Sequence, residues 1–157
     1  MELKNTHEIN APRETVWALL HDTDVLQACI PGCEELTKTS DSEMQAKVKL
    51  KIGPVKAAFK GKVFFENVDA PKSLTLSGEG NGGIAGHARG GADVVLEETA
   101  AGTRLTYEAS AQVGGKIAQL GGRLIQSTAS KLAADFFSRF EAEAARLAAN
   151  PETEPAG

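Results

Sequence analysis

Lys47-Val-Lys-Leu-Lys-Ile-Gly-Pro-Val-Lys-Ala-Ala-Phe-Lys-Gly-Lys-Val-Phe-Phe65 is the stretch on which the fold turns. Val48, Leu50 and Ile52 alternate with Lys47, Lys49 and Lys51. After Gly53-Pro54 the alternation resumes, with Ala57, Phe59, Gly61, Val63 and Phe65 set against Lys56, Lys60 and Lys62. A period of two sends successive side chains to opposite faces of a strand. Two such runs around a Gly-Pro break predict an antiparallel hairpin with one wet, basic face and one dry face. The dry face needs a cover, and the rest of the chain has to supply it.

Downstream, Asp69-Ala-Pro71 reads as a turn and residues 73–79 as a strand. A long strand follows over about 85–97, Ala101-Gly102 makes a tight turn, and 103–113 is its partner. Ile117, Leu120, Leu124, Thr128, Leu132, Phe136, Phe140, Ala144 and Leu147 then recur every three or four residues, the signature of a long amphipathic helix. Upstream, residues 2–10 alternate as a first strand. Pro12 opens a short helix whose apolar face is Val16, Trp17, Leu19 and Leu20, and 25–29 form a second helical turn that ends at Pro31-Gly32. This order predicts an α+β domain. About seven strands form a curved antiparallel sheet around a long C-terminal helix, with two short helices after strand one. The domain spans 1–149, and 150–157 are expected to be a short, disordered polar tail.

Parity places Ala57, Gly61, Gly86, Ala88, Gly90, Ala92, Ala109 and Ala111 on the inward face. Small inward residues either let a bent sheet pack closely or leave room for a ligand. Periodicity leaves both readings open. The 157 residues include 16 glycines, while charged residues make up 24% and aromatics only 5%. A chain of this size buries roughly 70% of its unfolded surface as one domain.

The formal net charge of −4 conceals an asymmetry: the six lysines of the hairpin, with no acid between Met44 and Phe65, leave −10 for the remainder. Lys47, Lys49, Lys51, Lys56, Lys60 and Lys62 form either a patch for an anionic membrane or acidic partner, or a solvated face protecting the sheet. Nucleic acid fits poorly, because the chain is acidic and no exposed aromatics interleave with the lysines. The opening residues carry charges at Glu2, Lys4, Glu8, Arg13 and Glu14 and predict no signal peptide. No apolar run reaches spanning length. With only Cys29 and Cys33 there is no exported disulfide framework, so the cytoplasm is the expected compartment.

Several chemical motifs are present only formally. Gly80, Gly82 and Ala85 match G-x-G-x-x-A, but strand, not helix, is expected to follow, and a dinucleotide loop must open a helix. Cys29 and Cys33 have no second pair, and His7, His21 and His87 lie far apart, so no metal site is expected. The doublets Glu34-Glu35 and Glu97-Glu98 point to opposite faces of their strands. No catalytic set emerges. His7 has inward parity on strand one and is the best polar candidate to bond a ligand oxygen.

Ala11-Pro12 with Val16-Trp17, Ile30-Pro-Gly-Cys33, Val55-Lys-Ala-Ala-Phe-Lys-Gly61, Gly78-Glu-Gly80 with Gly82-Gly83-Ile-Ala-Gly86, and Val113-Gly-Gly-Lys-Ile-Ala-Gln-Leu-Gly-Gly-Arg-Leu-Ile125 resemble the CoxG-like family of carbon monoxide dehydrogenase accessory subunits. That family belongs to the START-like (SRPBCC) helix-grip superfamily, and the resemblance runs from about residue 1 to 147. It implies a sheet gripping the long helix around a hydrophobic tunnel, which favours a cavity over close packing. It also implies a non-catalytic accessory protein that recruits or couples a molybdenum hydroxylase of the carbon monoxide dehydrogenase type to the membrane. The expected ligand is a respiratory quinone or lipid, with no covalently bound cofactor, and the expected location is cytoplasmic, peripheral at the inner face of the membrane. The competing readings are a ligand-free assembly adaptor and a small cyclase- or hydrolase-like enzyme using the same cavity.

Against that background the expected cavity lining starts with Trp17, Leu20, Ile30, Phe59, Val63 and Phe65. Tyr107, Ala111, Val113, Ile117, Leu120 and Leu124 complete its apolar part, and His7 or the Tyr107 hydroxyl serves a headgroup. Pro31 and Gly32, with Gly114, Gly115, Gly121 and Gly122 taken to bracket the first turns of the helix, are the expected gate.

Overall fold

The computed structural model describes residues 1–149. The expected tail over 150–157 lies outside the described residues. Strand β1 (Glu2–Ile9) is followed by helices α1 (Arg13–Leu19) and α2 (Thr23–Cys29). Six strands come next: β2 (Cys33–Ser40), β3 (Glu43–Ile52), β4 (Val55–Asp69), β5 (Ser73–Asn81), β6 (His87–Thr99) and β7 (Gly102–Gly114). Helix α3 (Gly122–Ala149) closes the order. All seven strands form one antiparallel sheet in the order β1-β7-β6-β5-β4-β3-β2, so both edges come from the chain's first strands. This is the expected α+β helix-grip architecture.

Local chemistry explains the joints. The Asp22 carboxylate accepts from the main-chain N–H groups of Asp24 and Val25 at 3.0 and 3.2 Å, capping the orphan donors at the start of α2. Thr103, fully buried, donates its hydroxyl to the Ala11 carbonyl at 2.7 Å and ties the β1–α1 bend to β7. Strand β2 has weak alternation because Leu36 is its one buried residue, which is why no period-two run marks it in the sequence.

Helix α3 begins later than its apolar period predicts. Gly115 and Gly121 take φ of +80° and +96°, values that end any α-helix, and the residues between them form a 3₁₀ turn over Lys116–Leu120. Gly114, Gly115 and Gly121 therefore precede α3 and Gly122 is its first residue, and the idea that the two pairs bracket its first turns is corrected. Ile117 and Leu120 belong to a small cluster around Phe59 and Ala85 instead of to the helix face.

The main core lies under the other end of α3. Phe137, Phe140, Ala144 and Leu147 are buried against Val16 and Leu19 of α1, Leu26 and Cys29 of α2, and Ile9 of β1. The small cluster closes the opposite pole. Between the two, the N-terminal half of α3 is half-buried and stands off the sheet.

Candidate functional site: an apolar cavity between sheet and helix

That standoff encloses a cavity of about 660 Å³. Its floor is the inward parity of the central strands, including Val48 and Leu50 of β3, Val63 of β4 and Leu76 of β5. Its roof is one stripe of α3: Ile125, Thr128, Ala129, Leu132, Ala133 and Phe136. Ala88, Ala92 and Ala109 on the floor and Ala129 and Ala133 on the roof are the reason the space stays open, since no large side chain projects from either wall there. Its size falls within the range of small-molecule pockets, about 300–1,000 Å³.

The lining carries no acid, base, thiol or imidazole among the described residues. Its two hydroxyls belong to Tyr107 and Thr128. Thr128 already donates to the Leu124 carbonyl at 2.8 Å, as helix threonines do. Burial pushes the Tyr107 phenol above its ordinary range, so it is a neutral hydroxyl at physiological pH. Such a site can hold an apolar chain and offers one free phenolic group. Among the described residues of the lining, the Tyr107 phenol is the one group able to exchange a proton.

Of the residues named from the sequence, Leu20, Ile30, Phe59, Val63, Phe65, Tyr107, Val113 and Ile117 lie in the lining of this cavity, together with Pro31 of the gate set. Five other expected residues do not. His7 lies outside, on the seam between β1 and α3, its ring stacked on Phe137 at 4.0 Å and its Nδ1 3.2 Å from Glu141 Oε1. Its Nε2 is buried without a partner among the described residues. Its level along β1 sets it beside Phe137 and Glu141, where α3 packs down, while Leu3 on the same face reaches the cavity. Trp17 packs at the edge of the main core against the ring of His21, 5.0 Å away, and His21 in turn stacks on Phe65, so Trp17 stops short of the cavity. Ala111 sits opposite Gly90, where a Cβ on the glycine would collide with the Ser110 carbonyl oxygen and come within 2.8 Å of Ala111 Cα. At that point the main chain of β7 occupies the space that a side chain on Gly90 would need. Leu120 packs in the small cluster, and Leu124 lies against the β3–β4 turn, where a Cβ on Gly53 would meet its Cδ2 at 2.8 Å.

The gate residues also divide. Gly32 is fastened, since Lys49 N–H donates to its carbonyl at 2.9 Å. Gly32, Gly114, Gly115, Gly121 and Gly122 are all absent from the lining, and the last two are exposed. The lysine set splits too: Lys49 pairs with Glu34 at 3.4 Å, while Lys51 and Lys56 face each other at the tip of the β3–β4 hairpin. The α3 roof and Val48, Leu50 and Ile52 of β3 are missing from the expected lining although the spacing 125, 128, 129, 132, 136 was there to be read.

The remaining formal motifs resolve structurally. The Gly80–Ala85 match leads into a 3₁₀ turn and then strand β6, so it opens no helix. Cys29 and Cys33 are free thiols, both pushed up by burial. No group of three metal-ligating side chains occurs among the described residues, and no helix there is long and apolar enough to cross a membrane.

Known structures share this architecture. A conserved protein from Geobacillus kaustophilus is 29% identical, with a TM-score of 0.87 over 94% of this chain and 97% of its own. The Zhui aromatase/cyclase from Streptomyces sp. R1128 is 12% identical, with a TM-score of 0.65 over 94% of each chain. A protein from Thermus thermophilus, TTHA0849, is 17% identical, with a TM-score of 0.61 over 91% of this chain and 99% of that one. The two more distant likenesses speak to fold alone. No curated protein matches the sequence. The family model for CoxG, a subunit of carbon monoxide dehydrogenase, matches residues 6–145, and the chain belongs to that family.

Proposed function

We propose that this protein is a non-catalytic carrier that takes the isoprenoid arm of a respiratory quinone, or an acyl chain of a lipid, into its cavity. In this reading it serves a molybdenum hydroxylase of the carbon monoxide dehydrogenase type, peripherally at the inner face of the membrane. The observation that carries the proposal is the lining: about 660 Å³ bounded by apolar side chains with one uncommitted hydroxyl, Tyr107. Membership of an accessory-subunit family supports the same direction.

At about 30 Å³ per non-hydrogen atom, the cavity holds on the order of 20 such atoms. Each buried methylene contributes about 0.8 kcal/mol, so an arm of about 15 carbons gains on the order of 10 kcal/mol before the costs of ordering it. Nothing comparable awaits a polar headgroup, whose carbonyl oxygens find only the Tyr107 O–H as donor. The arm therefore enters and the headgroup stays near the opening. A lining without acid or base supports carriage over turnover.

The test is solvent extraction of the purified protein followed by mass spectrometry, with loading from vesicles containing ubiquinone-4 or oleate. The expected result is near-stoichiometric uptake of one of these. A protein that is isolated empty and takes up neither would overturn the proposal.

A further inference from the structure

The opposite face of the sheet carries a second concavity, a groove of about 1040 Å³. Its floor is bare main chain and small residues, among them Gly61, Gly80, Ala88 and Gly114. Its walls hold Lys47, Lys60, Lys62 and Arg89, against which stand Glu35 and Glu79.

The strand register explains the charge. Lys47 lies directly opposite Lys60 on one side and Glu35 on the other, while on the neighbouring rung Glu79 stands between Lys62 and Arg89, with Gln45 and Gln112 at its ends. Like charges directly opposite one another on a sheet destabilise it. Among the described residues none of Lys47, Lys60, Lys62 or Arg89 has an acidic partner within 4.0 Å. Elsewhere on the sheet Lys4 is paired with Glu108 at 2.9 Å and Arg104 with Glu8 at 2.7 Å. The groove thus keeps a local surplus of positive charge on an acidic protein.

We propose that this groove docks an extended acidic segment of a partner protein, with one carboxylate between Lys47 and Lys60 and another at Arg89. Four strand spacings of about 4.8 Å separate β3 from β7, a span of roughly 19 Å, which about six extended residues cover. A bilayer fits less well. Its surface is flat where the groove is concave, and the exposed large apolar residues, Val68, Ile84 and Val95, all lie outside the groove. The inference does not depend on what the cavity carries.

The experiment measures fluorescence anisotropy of a fluorescein-labelled hexaglutamate peptide and co-sedimentation with phosphatidylserine–phosphatidylcholine vesicles. Lys60→Glu is compared with Lys56→Glu, which makes the same charge change opposite Lys51 but outside the groove. Each variant turns a like-charged pair into an opposite-charged one, so both should fold. The proposal expects Lys60→Glu to weaken peptide binding at least tenfold, Lys56→Glu to change it less than twofold, and Glu79→Gln to strengthen it two- to threefold. Equal losses in the two lysine variants would reduce the effect to net charge and overturn the groove. So would absence of peptide binding, or vesicle binding that Lys60→Glu abolishes while the peptide fails to bind.

Discussion

Ala129→Trp is the substitution that most directly tests whether the space under α3 is a binding site. Ala129 is half-buried on the cavity roof, and the indole would project into the void. Tryptophan adds about nine non-hydrogen atoms, or roughly 270 Å³ at about 30 Å³ each. That leaves on the order of 400 Å³ of the original 660 Å³, enough for about 13 carbons where about 20 fitted before. An arm of 20 carbons then loses burial of about seven methylenes, near 6 kcal/mol at about 0.8 kcal/mol each. If contact with the indole restores half of this, about 3 kcal/mol remains, close to a hundredfold in Kd. A ten-carbon arm still fits and loses little. The assay is calorimetric or fluorescence titration of wild type and variant with ubiquinone-4 and ubiquinone-2, alongside thermal unfolding. Tm should hold or rise, because filling a void removes no contact. Unchanged affinity for the long-armed quinone in a folded variant would refute the cavity assignment. Equal loss for both arm lengths would refute the volume argument.

Further outcomes follow from individual positions. Gly90→Ala places a Cβ against the Ser110 carbonyl and Ala111 Cα and should lose about 3 kcal/mol or more in urea unfolding. Gly83→Ala, with no neighbour within 4 Å but φ of +64°, should lose only about 1 kcal/mol. His7→Phe keeps the stacking on Phe137 and frees a Glu141 side chain that is already about a third exposed. Quinone affinity should stay within twofold, and stability should fall by less than about 1 kcal/mol. Burial raises the Cys29 and Cys33 thiols, so both should alkylate slowly at pH 7.5 in the native state and quickly in urea. Because the folded state favours the protonated thiol, stability should decline as pH rises past the ordinary thiol value of about 8.5.

Much of the frame was legible residue by residue. The Lys47–Phe65 alternation identified the hairpin and its dry face because the strand period is a local property. The 3.6-residue period identified α3 for the same reason. It misplaced the start of α3, since Ile117 and Leu120 continue the apolar spacing while Gly115 and Gly121 break the backbone. Spacing records which residues are apolar, and the break is a matter of φ. His7 failed as a lining residue for a different reason. Parity says which face of β1 it occupies, but not that its level along β1 is taken up by Phe137 and Glu141 of α3, while Leu3 on the same face reaches the cavity.

The sequence by itself determined the α+β class, the cover of a dry sheet by an amphipathic helix, the small inward residues and the basic run. Only the tertiary structure decided what the small residues do. Ala88, Ala92 and Ala109 face open volume, whereas Gly90 and Ala111 allow two strands to crowd together. Both groups look alike in the chain, because a void is set by the distance between elements far apart in sequence. The lysines divide likewise: cross-strand register gathers Lys47, Lys60 and Lys62 with the distant Arg89, and leaves Lys51 and Lys56 at the hairpin tip. Charge is written in the sequence, while its concentration in one groove depends on which strands lie side by side.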